Sequence, residues 1–151
     1  MKAEIRAAVA GDIDAIVADI RPADVAEMEA LGTTPERALR EGLALSDWSA
    51  TGTLDDVPVC MFGVGCHSVM GGIGRPWMLA ANGLERAQVP FLRACRPVVR
   101  AMQDSYPRLI NVVDARNTTA IRWLRWLGFK FDIGRQIVGG QEFVGFRLGS
   151  W

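Results

Sequence analysis

Asp114-Ala115-Arg116-Asn117 is the one polar cluster at the C-terminal end of an apolar, strand-like run, Leu109 to Val113. In open α/β sheets, ligands bind beyond the carboxyl ends of strands. A carboxylate, a guanidinium and an amide there could hold a polar ligand, so Asp114, Arg116 and Asn117 are the first candidates for a residual polar site. The same residues also suit a plainer task, a helix cap with a local Asp114–Arg116 contact. Other chemistry-bearing residues are less well arranged. His67, the only histidine, stands between Cys66 and Ser68, and neighbours on an extended chain point to opposite faces, which argues against a Cys–His nucleophile. A metal needs three or four ligands together, and one histidine with scattered cysteines offers no such cluster, so no metal site is expected. Gly71-Gly72-Ile73-Gly74 leads into a strand and lacks the helix amides of a phosphate cradle. Asp55 and Asp56 read as hairpin residues, and Glu27 and Glu29 as a solvated helical face; neither pair makes an acid/base dyad. The catalytic residue, if there is one, stays unknown.

These residues are positioned by alternating strand and helix signals. Ile5, Ala7 and Val9 fall on one face of a strand over Lys2 to Val9. Asp12 can cap a helix to about Ile20, Pro22 starts a second that ends at Gly32, and Thr34-Pro35-Glu36 starts a third to about Ser46. Trp48 to Leu54 and Val57 to Val64 read as strands joined by a turn at Asp55-Asp56. Pro76 to Ala80 is a short apolar strand, and Leu84 to Met102 looks helical, with Pro90 and Pro97 as a kink or a late start. Leu109 to Val113 is a strand, Thr118 to Leu127 a helix, and Phe129-Lys130-Phe131 opens another strand before a hairpin across Gly139-Gly140. The order β-α-α-α-β-β-β-α-β-α-β-β predicts a mixed α/β domain over residues 1–151.

Length and charge narrow the classes. A chain of 151 residues fits one domain, and its 17 basic and 17 acidic residues cancel. That balance points away from nucleic acid and from an electrostatic membrane anchor. No run approaches the ~18 apolar residues of a membrane span. Charges interrupt the first residues, so no secretory signal peptide is expected. Cys60, Cys66 and Cys95 are odd in number and contain no CxxC pair, as for three buried or semi-buried thiols in a reducing compartment.

The stretch "VDARNTTAIRWLRWLGFKF" carries a further signal. Asn117 or Thr118 can cap its helix and Gly128 can end it. Ala120, Ile121, Trp123, Leu124 and Leu127 share one apolar face, while Arg122, Arg125 and Trp126 lie on the other side. A strand, then Asn, Ala three later and Gly-Phe closing the helix resembles the tail of the GNAT N-acetyltransferase superfamily. Here Asn117, Ala120, Gly128 and Phe129 keep that spacing. With "GRPWMLA" and "DIRPADVAEMEALG", the stretch looks like a GNAT-like branch encoded by tailed bacteriophages and prophages. The resemblance covers nearly the whole chain. It implies a GNAT-like fold, a mixed central sheet of about 6–7 strands with helices on both faces.

Two departures bear on activity. The family's phosphate loop has small residues at the head of the long helix, where Gln88-Val89-Pro90-Phe91-Leu92-Arg93 puts Phe91 and Arg93. The family's proton-donating tyrosine falls at Leu124, and Tyr106, the only tyrosine, fits a turn before a strand. The resemblance with these departures implies a degenerate acyl-CoA site. It points to a non-catalytic virion or assembly-associated protein without a cofactor, acting on protein partners in the host cytoplasm during assembly or in the virion. Oligomerisation is open in that reading, with Arg122, Arg125 and Trp126 as the interface. The alternative is an acetyl-CoA-dependent N-acetyltransferase with an atypical phosphate loop. Its cofactor would then lie on Met78, Leu79, Ala80, Gln88 and Asn117. The expected core includes Ile5, Ile16, Val59, Met61, Phe62, Trp77, Leu79, Leu92, Val112, Ala120, Trp123, Leu124, Leu127 and Phe129.

Overall fold

The computed structural model describes residues 1–151. Strand β1 (Ala3–Ala7) leads to helices α1 (Asp12–Ala18), α2 (Pro22–Ala30) and α3 (Pro35–Leu45). A meander follows, β2 (Trp48–Leu54), β3 (Val57–Ser68) and β4 (Ile73–Ala80). A 3-10 turn, Asn82–Ala87, then feeds the long helix α4 (Gln88–Ser105). Strand β5 (Arg108–Asp114), helix α5 (Thr118–Trp126) and the hairpin β6 (Lys130–Val138) and β7 (Gln141–Leu148) complete the chain. The seven strands form one sheet in the order β1-β2-β3-β4-β5-β7-β6.

Local chemistry explains the ends of these elements. Thr34 accepts the Arg37 amide at 3.2 Å, with Pro35 in the first turn of α3. Asn117 accepts the Ala120 amide at 3.3 Å, and Gly128 leaves α5 with φ 98°. Asp55 and Asp56, at φ 49° and 65°, make the turn that joins β2 to β3. The long helix starts later than the apolar pattern predicts. Residues 84–87 belong to the 3-10 turn, which leaves Pro90 in the first turn of α4, where a missing N–H costs nothing.

The core is divided by the sheet. Ile13, Ile16, Met28, Leu39, Met61 and Leu79 pack on the α1–α3 face. A larger cluster that includes Phe62, Phe91, Val99, Met102, Leu109, Phe129 and Phe146 packs on the α4–α5 face. Ile5 departs from the expected core and is 37% exposed, because β1 is the edge strand and pairs only with β2.

Candidate functional site

The site arises where two parallel strands part. β4 and β5 pair only at Ile73–Arg108 and Gly74–Leu109, and beyond those residues the ladder ends. Asn111 sits at the point of divergence. Its Nδ2 donates to the Pro76 carbonyl at 2.7 Å, and its Oδ1 accepts the Val112 amide at 2.8 Å. One side chain thus replaces the first lost ladder bonds. Alternation in the antiparallel β3–β4 ladder turns Leu79 toward β3 and turns Pro76, Met78 and Ala80 toward the gap. The backbone groups of Ala80 are both engaged: Asp24 Oδ2 accepts its N–H at 2.8 Å, and its carbonyl accepts the Arg21 amide at 3.0 Å. Pro76 has no N–H. The Met78 amide is therefore the one β4 donor in the gap without a strand partner, since the β4–β5 ladder ends before it.

The charged stripe of α2 closes one side of this gap. Arg21 precedes Pro22 in an extended conformation and bonds Asp24 through Nε at 3.2 Å and a terminal nitrogen at 3.0 Å. Both side chains are buried, and the guanidinium lies 5.8 Å from the Trp123 ring centre of α5. Glu27, one turn further on, is half-buried. Its Oε1 accepts the Asp114 amide of β5 at 2.7 Å, and no other side-chain partner holds it. Burial pushes its carboxyl up to about 7, and the Asp24 and Asp114 carboxylates push the same way. The solvated helical face predicted for Glu27 is therefore corrected. The docking of α2 on the ends of β4 and β5 turns Glu27 inward, whereas Glu29 stays exposed. The signal was present in the spacing: Asp24, Glu27, Met28 and Leu31 lie one turn apart on a single stripe, and all four line the same cavity.

That cavity has a volume of about 390 Å³ and passes through the gap, with walls from both faces of the sheet. It explains why much of the expected core is only half-buried. Trp77, Leu92, Val112, Ala120, Trp123, Leu124 and Leu127 all line it, and no residue of α5 is fully buried. A second, polar pocket of about 150 Å³ lies at the heads of α4 and α5, bounded by Gln88, Asn117, Thr119, Asn82 and Glu85.

The polar cluster of β5 is drawn together tightly. Asp114 is buried and accepts from Arg116 at 2.7 Å, and that guanidinium holds the Asp114 carboxyl below its ordinary range. Asn117 is buried at the α5 cap and borders both cavities. Gln88 borders the polar pocket; Met78 and Leu79 border the larger one. Phe91 does not occupy the polar pocket. It turns into the core beneath Gly52, where a Cβ would lie 2.6 Å from its ring, and Arg93 is exposed elsewhere. Cys66, expected to be buried or semi-buried, is exposed because it lies near the end of β3 beyond the core, and His67 is exposed beside it; His67 Nδ1 meets Arg75 at 3.0 Å, and Tyr106 donates to Asp47. Trp126 is 44% exposed, and the guanidinium over its ring, at 3.9 Å, belongs to Arg96 of α4 and not to Arg122. Arg125 lies over Phe131 at 5.3 Å, and Arg122 is exposed.

Several solved structures share this fold. A GCN5-related N-acetyltransferase from Kribbella flavida superposes with a TM-score of 0.69 at 16% identity, covering 98% of each chain. The fold is that of the GNAT acetyltransferases. AAC(6')-Ib, solved with ribostamycin and coenzyme A, gives a TM-score of 0.69 at 13% identity over 99% of this chain and 94% of its own. YncA from Salmonella typhimurium, solved with its cofactor acetyl-CoA, gives 0.67 at 12% identity over 99% and 94%. No family model matches the sequence, and no curated protein does. No helix of this GNAT-fold chain is long and apolar enough to cross a membrane.

Proposed function

We propose that the protein is an acyl-CoA-dependent N-acyltransferase in which Glu27 is the general base. The single observation that carries this reading is the half-buried Glu27 carboxyl on the cavity wall, raised to about 7, beside a gap that exposes the Met78 amide. The residues present fit an acyl-CoA. Met78 would hold the thioester carbonyl by its free N–H, and Gln88, Asn117 and Thr119 would hold the phosphate end through amide and hydroxyl donors. When bound, acyl-CoA would supply a thioester carbon for attack by an amine, the C–N bond forming as the C–S bond breaks and CoA leaving as a thiolate that takes its proton from water. Glu27 takes the proton from the amine nitrogen, which needs a carboxylate whose basicity matches neutral pH. Its free oxygen is available for this because the Asp114 amide holds the other. Met78 N–H aims a fixed dipole into a gap with few competing donors, the arrangement that stabilises charge on a carbonyl oxygen. Asp24 and Arg21 do not touch the reactants; they hold α2 against Ala80 so that Glu27 reaches the gap. The two GNAT-fold structures solved with coenzyme A or acetyl-CoA support the cofactor class.

Calorimetry with CoA and acetyl-CoA tests this directly. Micromolar binding that Glu27→Gln preserves, with loss of amine acylation in that variant, is the expected result. Absent or millimolar binding would overturn it and favour the non-catalytic virion or assembly role. The exposed Trp126 supports an association surface compatible with either role, with Arg122 and Arg125 beside it.

A further inference from the structure

We infer that the apolar arm of the large cavity, between α4, α5 and the closed end of the β4–β5 gap, receives an acyl chain longer than acetyl. The inference rests on the acyl-CoA reading above and adds the class of acyl donor. Three observations converge on it. First, the cavity is divided by polarity: Arg21, Asp24, Glu27 and Arg75 line it from α2 and β4, whereas α4 and α5 contribute no charged side chain. Second, Leu92, Cys95, Val99 and Met102 recur at three- and four-residue spacing along α4, so the apolar wall continues for roughly 15 Å at 1.5 Å per residue. Third, Met78 stands two residues from Pro76, whose carbonyl the Asn111 side chain bridges, which leaves roughly 7 Å of gap beyond its amide. Phe129 and Phe146, packed edge to face at 5.3 Å, form the floor of that arm.

Size decides between acetyl and something longer. An apolar cavity of about 150 Å³ already holds a benzene ring, and the whole cavity, with the sides left to the CoA arm and the amine, measures about 390 Å³. With the thioester seated at Met78, an acetyl group would reach only part of the apolar wall that α4 and α5 present. The charged side of the cavity suits the amine, so the uncharged side falls to the acyl group. Burial also keeps the Cys95 thiol, in this wall, up to about 11, so it is a neutral apolar surface and not a competing nucleophile.

Binding of CoA, acetyl-CoA and hexanoyl-CoA by calorimetry, with hexylamine as a control, tests the assignment. Hexanoyl-CoA should bind more tightly than acetyl-CoA, by about tenfold for every two methylenes buried. Cys95→Phe should erase that preference while leaving CoA affinity unchanged, and Val99→Leu should reduce it if the first variant folds poorly. Equal affinity for the two thioesters would overturn the inference and leave the acyltransferase reading intact. So would a wall variant that loses hexylamine binding alone, because the chain would then belong to the acceptor. Failure to bind CoA in any form would remove both.

Discussion

Two acidic residues of one helix, Asp24 and Glu27, differ in everything but charge. Asp24 is saturated: it accepts from Arg21 twice and from the Ala80 amide. Removing it would leave a buried guanidinium and a buried N–H without partners. Asp24→Ala should therefore cost about 3–5 kcal/mol in denaturant melts, whereas Glu41→Ala, which breaks the exposed Arg37 pair, should cost less than about 1 kcal/mol. Glu27 keeps an oxygen free, and its carboxyl titrates near 7 against an ordinary 4.5. Acylation should rise with pH through about 7 and level off, and Glu27→Gln should abolish that limb. Stability should run the other way. The native state binds the Glu27 proton more strongly than the unfolded chain, so stability is full below the ordinary carboxylate range and falls as pH rises through about 7. Melts above pH 7 should then show Glu27→Gln at least as stable as the wild type, and a wild type that gains stability across that window would contradict the burial of Glu27.

At the scale of elements, the hairpin tip between β6 and β7 sets where α2 lies. Gly139 has φ 56°, and a Cβ there would fall 2.1 Å from the Ala30 carbonyl oxygen. Gly140 has φ 77° and open space around it. Alanine at either position meets the left-handed backbone cost of roughly 1–2 kcal/mol. Only Gly139→Ala should also displace α2, so it alone should change the pH profile of acylation as well as the melting temperature. This degree of placement was only partly legible in the sequence. Caps and stops at Thr34, Asn117 and Gly128 were readable because they are local chemistry, and strand alternation gave the meander. Trp77, Trp123 and Leu127 were readable as apolar faces, but a face shows only that it avoids water, not whether it meets side chains or a cavity. Glu27 and Glu29 were grouped by proximity, although residues two apart on a helix point about 200° apart. The docking of α2 depends on the divergence of β4 and β5, a contact between residues some ninety apart in sequence that no local pattern encodes.

For the whole molecule, the gap decides what a ligand can do. A compound that binds only the native state at a hundred times its dissociation constant adds about 2.7 kcal/mol to stability. CoA should therefore raise the melting temperature, and the Met78 amide should gain more protection from hydrogen exchange than the amides of β2, which are already paired on both sides.

The closed end of the gap has a mechanical meaning. Two residue pairs of one parallel ladder, helped by Asn111, join a four-stranded half to a three-stranded half. The sheet is in effect two stiff plates sharing a short hinge, and α2 is the strut that reaches from one plate to the other through Ala80 and Asp114. Its foot on the far plate is Glu27 itself. Because burial disfavours its charge, that foot should stand most firmly as the neutral acid, and ionisation should strain the strut.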